Sequence, residues 1–196
     1  MRVGSKNELL IFMCCAYPVF KTRNLKLTTS DNLKIGAWFV LADPYYVETQ
    51  PRTAPPKLDE ITTSLKKSPT ILFFHGNAAS RAVNYRVQVY TQITSRLSKS
   101  ILINLSLHSH LLAALDANVL AIDYRGFADS EGTPDEAGLL LDALASWDWL
   151  IEHGATPDSI TVMGQSLGTA VASALAGRLA DSGALSCRIE GCITDK

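Results

Sequence analysis

No excess of either charge, no Cys-x-x-Cys spacing, no internal repeat and no apolar run of membrane-spanning length occurs in this sequence. Each absence removes a class of protein. With 18 Lys and Arg against 19 Asp and Glu, the formal net charge is −1. That balance argues against nucleic acid and against an electrostatic grip on acidic membranes, so the expected partner is small and largely apolar. The cysteines are Cys14, Cys15, Cys187 and Cys192, and their spacing excludes zinc ribbons and thioredoxin-like redox motifs. They are expected to be buried, reduced thiols. The apolar run Leu9 to Phe20 is interrupted by Pro18 and falls short of the ~20 residues a spanning helix needs. Glu8 precedes it and no small-x-small cleavage site follows, so it reads as an interfacial or core-packing segment rather than a signal peptide.

What is present is an ordinary core-forming composition, 47% hydrophobic and 19% charged, in 196 residues, enough for one domain. Leu25 to Thr29 alternates, Ser30-Asp31-Asn32 supplies a turn, and Ile35, Ala37 and Phe39 alternate within Leu33 to Val40, which predicts an antiparallel hairpin. Asp43 to Ser68, carrying Pro44, Pro51, Pro55 and Pro56, reads as loop. Thr70 to Phe74, Val119 to Ile122, Ile160 to Met163 and Ile189 to Ile193 are short apolar runs expected as buried strands. Helices are expected over Arg81 to Leu97, from Thr133 to Gly154, and over Gly168 to Ala180. The middle one has Thr133 as N-cap, Pro134 in its first turn, Glu136 closing a capping box, and an apolar face of Leu140, Leu141, Leu144, Trp147 and Ile151. Strands alternating with helices after an antiparallel start define the fold class as α/β: a mostly parallel sheet with an antiparallel N-terminal hairpin and helices on both faces. Ser100 to Leu115 has no charged residue and reads as an extra amphipathic helix or as an insertion, bounded at 98–117.

Gly164-Gln165-Ser166-Leu167-Gly168 lies between a predicted strand and a predicted helix, the context a nucleophilic serine requires. In such a turn the serine oxygen stands above the sheet, and side chains two residues before and after it would clash, hence the glycines. The helix that follows points its partially positive N-terminus at the site. His75-Gly76-Asn77-Ala78 ends an earlier strand, where the second backbone donor of an oxyanion hole is expected. Leu167 and Asn77 are the candidate N–H donors; His75, Gly76 and Gln165 are candidate supports of the site loops. His75 reads as a brace of the oxyanion loop rather than a catalytic base. Asp123-Tyr124-Arg125-Gly126-Phe127 reads as a structural loop whose aspartate and arginine hold neighbouring backbone in place. No metal-ligand cluster occurs and GQSLG lacks a P-loop lysine, so no metal and no cofactor is expected.

The order HGN, DYRGFADSEGTP, GQSLG, strand resembles the α/β-hydrolase superfamily. More narrowly it resembles the abhydrolase-domain serine lipases that act on monoacylglycerols and lysophospholipids, as does the opening LTTSDNLKIGAWFVLADPYY. The resemblance runs from about Asn24 to the C-terminus, leaving out Ser100 to Leu115; it divides the chain into an apolar segment, 1–23, and a partial hydrolase domain, 24–196. It implies ester hydrolysis through an acyl-enzyme on Ser166, with a lipid or other small ester as substrate and peripheral membrane contact. The compartment is unknown from the sequence, membrane-associated or cytoplasmic.

The sequence also departs from that pattern. In the superfamily the acid and then the histidine follow the nucleophile, yet His75, His108, His110 and His153 all precede Ser166. Asp181, Glu190 and Asp195 are the acids after it; Asp195, following a strand, is the candidate triad acid. The expectation is therefore a truncated hydrolase with impaired turnover. A non-catalytic binding protein, or a peptidase or thioesterase on the same fold, is the alternative.

Overall fold

The computed structural model describes residues 20–95 and 116–183 and the backbone of the strand 188–193. The run from Leu9 up to Phe20, the segment Ser100–Leu115, the residues Cys14, Cys15, His108, His110, Cys187 and Asp195, and the side chain of Cys192 lie outside the described residues.

Strands β1 (Thr22–Thr28) and β2 (Lys34–Val40) pair antiparallel from Thr22↔Val40 to Thr28↔Lys34. Asn32, at φ 65°, turns the chain between them, a left-handed conformation that asparagine tolerates. Thr29 N donates to Leu33 O at 3.0 Å to close the turn. Strands β3 (Thr70–Phe74), β4 (Asn118–Ile122), β5 (Ile160–Gln165) and β6 (Arg188–Ile193) run parallel, and the sheet order is β1-β2-β4-β3-β5-β6. β2 joins the two parts by pairing antiparallel with β4.

The helices are α1 (Asp43–Glu48), α2 (Leu58–Lys67), α3 (Asn84–Thr94), α4 (Glu136–Glu152) and α5 (Leu167–Asp181). Period-two alternation splits the core between the sheet's two faces. Ile35, Ala37, Phe39, Leu72, Phe74, Leu120, Ile122 and Val162 pack with Ile61 and Leu65 of α2, Ala143, Trp147 and Leu150 of α4, and Val171 and Leu175 of α5. Trp38, Val40, Ile71, Phe73, Val119, Ala121 and Met163 pack on Val87, Tyr90 and Ile93 of α3. With both faces covered, the strands read as continuous apolar runs.

Three local expectations are corrected. Asp43–Ser68 is not loop but holds α1 and α2. Pro44 occupies the first turn of α1, where a missing N–H costs nothing. Glu60 accepts from Lys57 N at 2.7 Å to start α2, and Asp59, Glu60, Lys66 and Lys67 match its dipole. Buried Asn118 ties this region to β4: its Oδ1 accepts from Ala42 N at 2.9 Å and from Ser64 Oγ at 2.6 Å. The second correction is at α4, where Asp135, not Thr133, is the N-cap; its Oδ1 accepts from Gly138 N at 2.8 Å. The buried face of α4 is Gly138, Asp142, Ala143, Ser146, Trp147 and Leu150, whereas Ile151 is exposed. The rotation follows from Arg125, which bonds Asp142 and lies so close that a Cβ on Gly138 would sit 2.5 Å from its Cδ. Finally, α3 begins at Asn84, not Arg81, because Arg81 is held in the preceding loop by Asp123.

Candidate active site

Ser166 links β5 to α5 at φ 48° and ψ −115°. A non-glycine residue in such a conformation costs on the order of 1–3 kcal/mol and persists only where its surroundings impose it. The two flanking glycines permit the close backbone packing that holds it. A Cβ on Gly164 would stand 2.3 Å from Gly168 O, and one on Gly168 would stand 2.0 Å from Phe74 O. The turn is thereby pressed against the end of β3, while Ser166 itself stays exposed. Leu167 is the first residue of α5, so its N–H has no carbonyl four residues back in the helix.

Opposite the serine runs the loop after β3. A Cβ on Gly76 would lie 3.3 Å from Ser166 Cβ and 3.5 Å from Gln165 O, so only glycine lets the two loops meet without displacement. Asn77, the next residue, is exposed. The structure thus brings Ser166, Gly76 and Gln165 together, with Asn77 and Leu167 next in chain to the contact.

His75 is fully buried behind this loop. Its Nδ1 donates to Gly76 O at 2.7 Å, and its Nε2 stands 3.0 Å from Asp123 Oδ1, off the line of a hydrogen bond. The ring lies against Tyr124 and Phe127, with centroids 4.5 and 5.5 Å away. Both ring nitrogens therefore face oxygen acceptors inside the protein. His153, at the end of α4, has its Nδ1 2.8 Å from Trp149 O and its ring stacked on Trp149. Neither described histidine hydrogen-bonds Ser166.

The loop after β4 has the structural role read from its sequence. Asp123 Oδ1 accepts from Arg81 N at 2.6 Å, and its Oδ2 pairs with Arg81 Nη1. Arg81 also reaches Asp129 Oδ1 at 2.8 Å and lies over the Trp38 ring. Tyr124 donates its hydroxyl to His75 O at 2.8 Å; burial raises its pKa, so it remains a donor. Arg125 donates to Asp142 Oδ1 at 3.0 Å and to Asp31 Oδ2 at 2.8 Å, and Asp142 Oδ2 accepts from Arg125 N at 2.7 Å. The Arg125 guanidinium holds the Asp31 carboxyl down at about 2. Burial pushes Asp142 up in spite of the same guanidinium.

Sequence reading missed Arg86. It is 1% exposed on the first turn of α3, and its Nε donates to Gln165 Oε1 at 3.1 Å. Its Nη1 donates to Ser80 O at 2.7 Å and its Nη2 to Gly76 O at 3.5 Å. The available signal was a cation beside Val87 on the apolar face of a predicted helix, where a charge needs a reason to be buried.

Beside the serine turn lies a cleft of about 480 Å³ lined by Asn77 and Leu167 at the site and by Phe127, Leu139, Leu140 and Val171. Among the described residues no group of three His, Cys, Asp or Glu side chains gathers to hold a metal. No described helix is long and apolar enough to cross a membrane.

A family model described as alpha/beta hydrolase fold matches residues 69–187. The chain is 34% identical over 163 residues to the lysophosphatidylserine lipase ABHD12 of Danio rerio, covering 83% of this chain and 36% of that protein. It is 34% identical over 119 residues to the protein bem46 of Schizosaccharomyces pombe, covering 60% of this chain and 33% of bem46. The chain thus spans about a third of the length of the curated relatives it matches. The crystal structure of an alpha-beta hydrolase from Vibrio vulnificus superposes with TM-score 0.56 at 19% identity, over 97% of this chain and 50% of that one, a likeness of fold.

Proposed function

Since this chain belongs to the α/β-hydrolase fold family, we propose that it carries the nucleophilic site of a serine hydrolase acting on carboxylic esters of the acylglycerol or lysophospholipid class. The observation that carries the reading is Ser166, exposed at positive φ between two glycines that admit no Cβ. A strained, solvent-facing serine has no packing role that would repay its conformation, whereas it suits a nucleophile.

In the proposed reaction Ser166 Oγ attacks the ester carbonyl carbon. The carbonyl oxygen takes up negative charge, which the N–H groups of Leu167 and Asn77 stabilise. Collapse expels the alcohol, which departs with a proton, and leaves an acyl-serine; water then attacks the acyl carbon, releasing the acid and restoring the serine. The cleft beside Asn77 and Leu167 offers apolar walls for the substrate's hydrocarbon part. The similarity to a lysophosphatidylserine lipase favours a lipid ester, reached by peripheral contact with a membrane. Hydrolysis also needs a base for the Ser166 proton, and neither His75 nor His153 hydrogen-bonds that serine. Turnover then depends on a group outside the described residues. On this reading residues 24–196 form a partial hydrolase domain, with 98–117 as an insertion within it.

A fluorophosphonate serine probe tests the reading, with Ser166→Ala as control, followed by a panel of monoacylglycerols, lysophospholipids, thioesters and peptides. Labelling of the wild type that vanishes in Ser166→Ala, with turnover of the lipid esters ahead of the others, is expected. A folded wild type that takes no label points instead to a binding scaffold on this fold.

A further inference from the structure

Arg86 is anchored to both loops on which the two oxyanion donors sit. From one side chain it reaches Gln165 Oε1, one residue before Ser166 and two before Leu167. It also reaches Gly76 O and Ser80 O, which bracket Asn77. The guanidinium is planar and rigid, with its donors at fixed angles, and it is buried where no water competes for them. Its Nε points to the serine turn and its two terminal nitrogens to the other loop. The Gly76 carbonyl that receives Arg86 also receives His75 Nδ1, so this peptide is held from two directions. The strands below these loops pair as far as Phe74↔Gly164 and the glycines at 76 and 168 bring the turns close, so Arg86 ties the two loops beyond the last strand pair.

We infer that Arg86 is a positioning residue that sets the separation of the Asn77 and Leu167 N–H groups, with Gln165 as its anchor on the serine turn. The inference rests on the serine-hydrolase reading above. Arg86 does not touch substrate. It acts by holding two backbone donors at the distance at which both reach one oxygen. Oxyanion stabilisation depends steeply on that geometry: losing one donor costs about 10²–10³ in rate, and a displacement near 1 Å costs about 10². Lysine at this position keeps the charge but lacks the planar set of donors, so it restores little.

The test uses the full chain and the fluorophosphonate probe at several concentrations, so that the maximal labelling rate, the probe's half-saturating concentration and the fraction finally labelled are read separately. For Arg86→Gln and Arg86→Lys the expected result is a labelling rate lowered about 10- to 100-fold, with half-saturation and final labelled fraction unchanged. A merely structural role gives another pattern: unfolded protein lowers the labelled fraction, while the folded remainder reacts at the wild-type rate. Should the Arg86 variants not fold, Gln165→Leu removes the anchor of Arg86 on the serine turn and leaves the bonds to Ser80 and Gly76. It too is expected to slow labelling at a full labelled fraction, whereas Gln165→Glu, which keeps an acceptor for Nε, restores the rate. An unchanged rate in folded Arg86→Gln or in Gln165→Leu overturns the inference while leaving the hydrolase reading intact. A folded wild type that takes no label overturns both.

Discussion

Gly168 and Gly177 lie on the same helix and differ in what a methyl group would meet. At Gly168 it would meet the Phe74 carbonyl at 2.0 Å, and at Gly177 it would meet nothing within 4 Å. Gly168→Ala must push the serine turn away from β3, a backbone displacement that costs roughly 1–3 kcal/mol, as other overpacking does. It should also lower probe labelling at Ser166. Gly177→Ala, at an exposed position inside α5, is expected to stabilise by about 0.5–1 kcal/mol, because alanine loses less chain entropy in a helix. Urea unfolding of the two variants beside the wild type checks both signs. Gly168 is thus distinguished from an ordinary helical glycine by a contact with another strand, β3, which no local pattern contains.

Among the elements, α4 shows a helix start set by a single capping side chain rather than by the pattern around it. Thr133, Pro134 and Glu136 have the spacing of a capping box, yet the hydrogen bond to the helix comes from Asp135. Asp135→Ala is therefore expected to cost about 1 kcal/mol, the usual loss of an N-cap. Thr133→Ala, at an exposed position outside the helix, should stay within about 0.5 kcal/mol of the wild type. Equal losses from the two substitutions, measured by chemical denaturation, would return the cap to Thr133. Helices α1 and α2 carry the same lesson in a proline-rich stretch. Pro44 starts one helix and the other prolines lie between the two, so proline density marked the boundaries of short helices rather than their absence.

Across the whole molecule, charge pairs join segments far apart in the chain: the hairpin turn, the loop after β4, and α4. Asp31 is held at about 2 by hydrogen bonds from Arg125 and Thr29. Burial raises Asp129, but bonds from Arg81 and Lys26 outweigh it and bring it to about 2. A carboxylate depressed on folding contributes stability above its unfolded value near 3.8 and loses that contribution as the pH falls towards 2. Asp142, raised by burial, runs the other way and gains as the pH falls. The double variant Asp31→Asn, Asp129→Asn should therefore lose less stability than the wild type between pH 4 and pH 2, as read from urea midpoints. Parallel curves would mean that these carboxylates titrate alike in the folded and unfolded chain. From the sequence by itself came the α/β class, the hairpin, the strands near their observed limits and the serine turn between strand and helix. Those depend on alternation, apolar run length and local sterics, all of which lie within a few consecutive residues. Only the tertiary structure decided the strand order, the rotation of α4, the sealing of His75, and Arg86 between the two site loops. Each of these is a contact between residues distant in sequence, and its energy depends on a separation that only the folded chain defines.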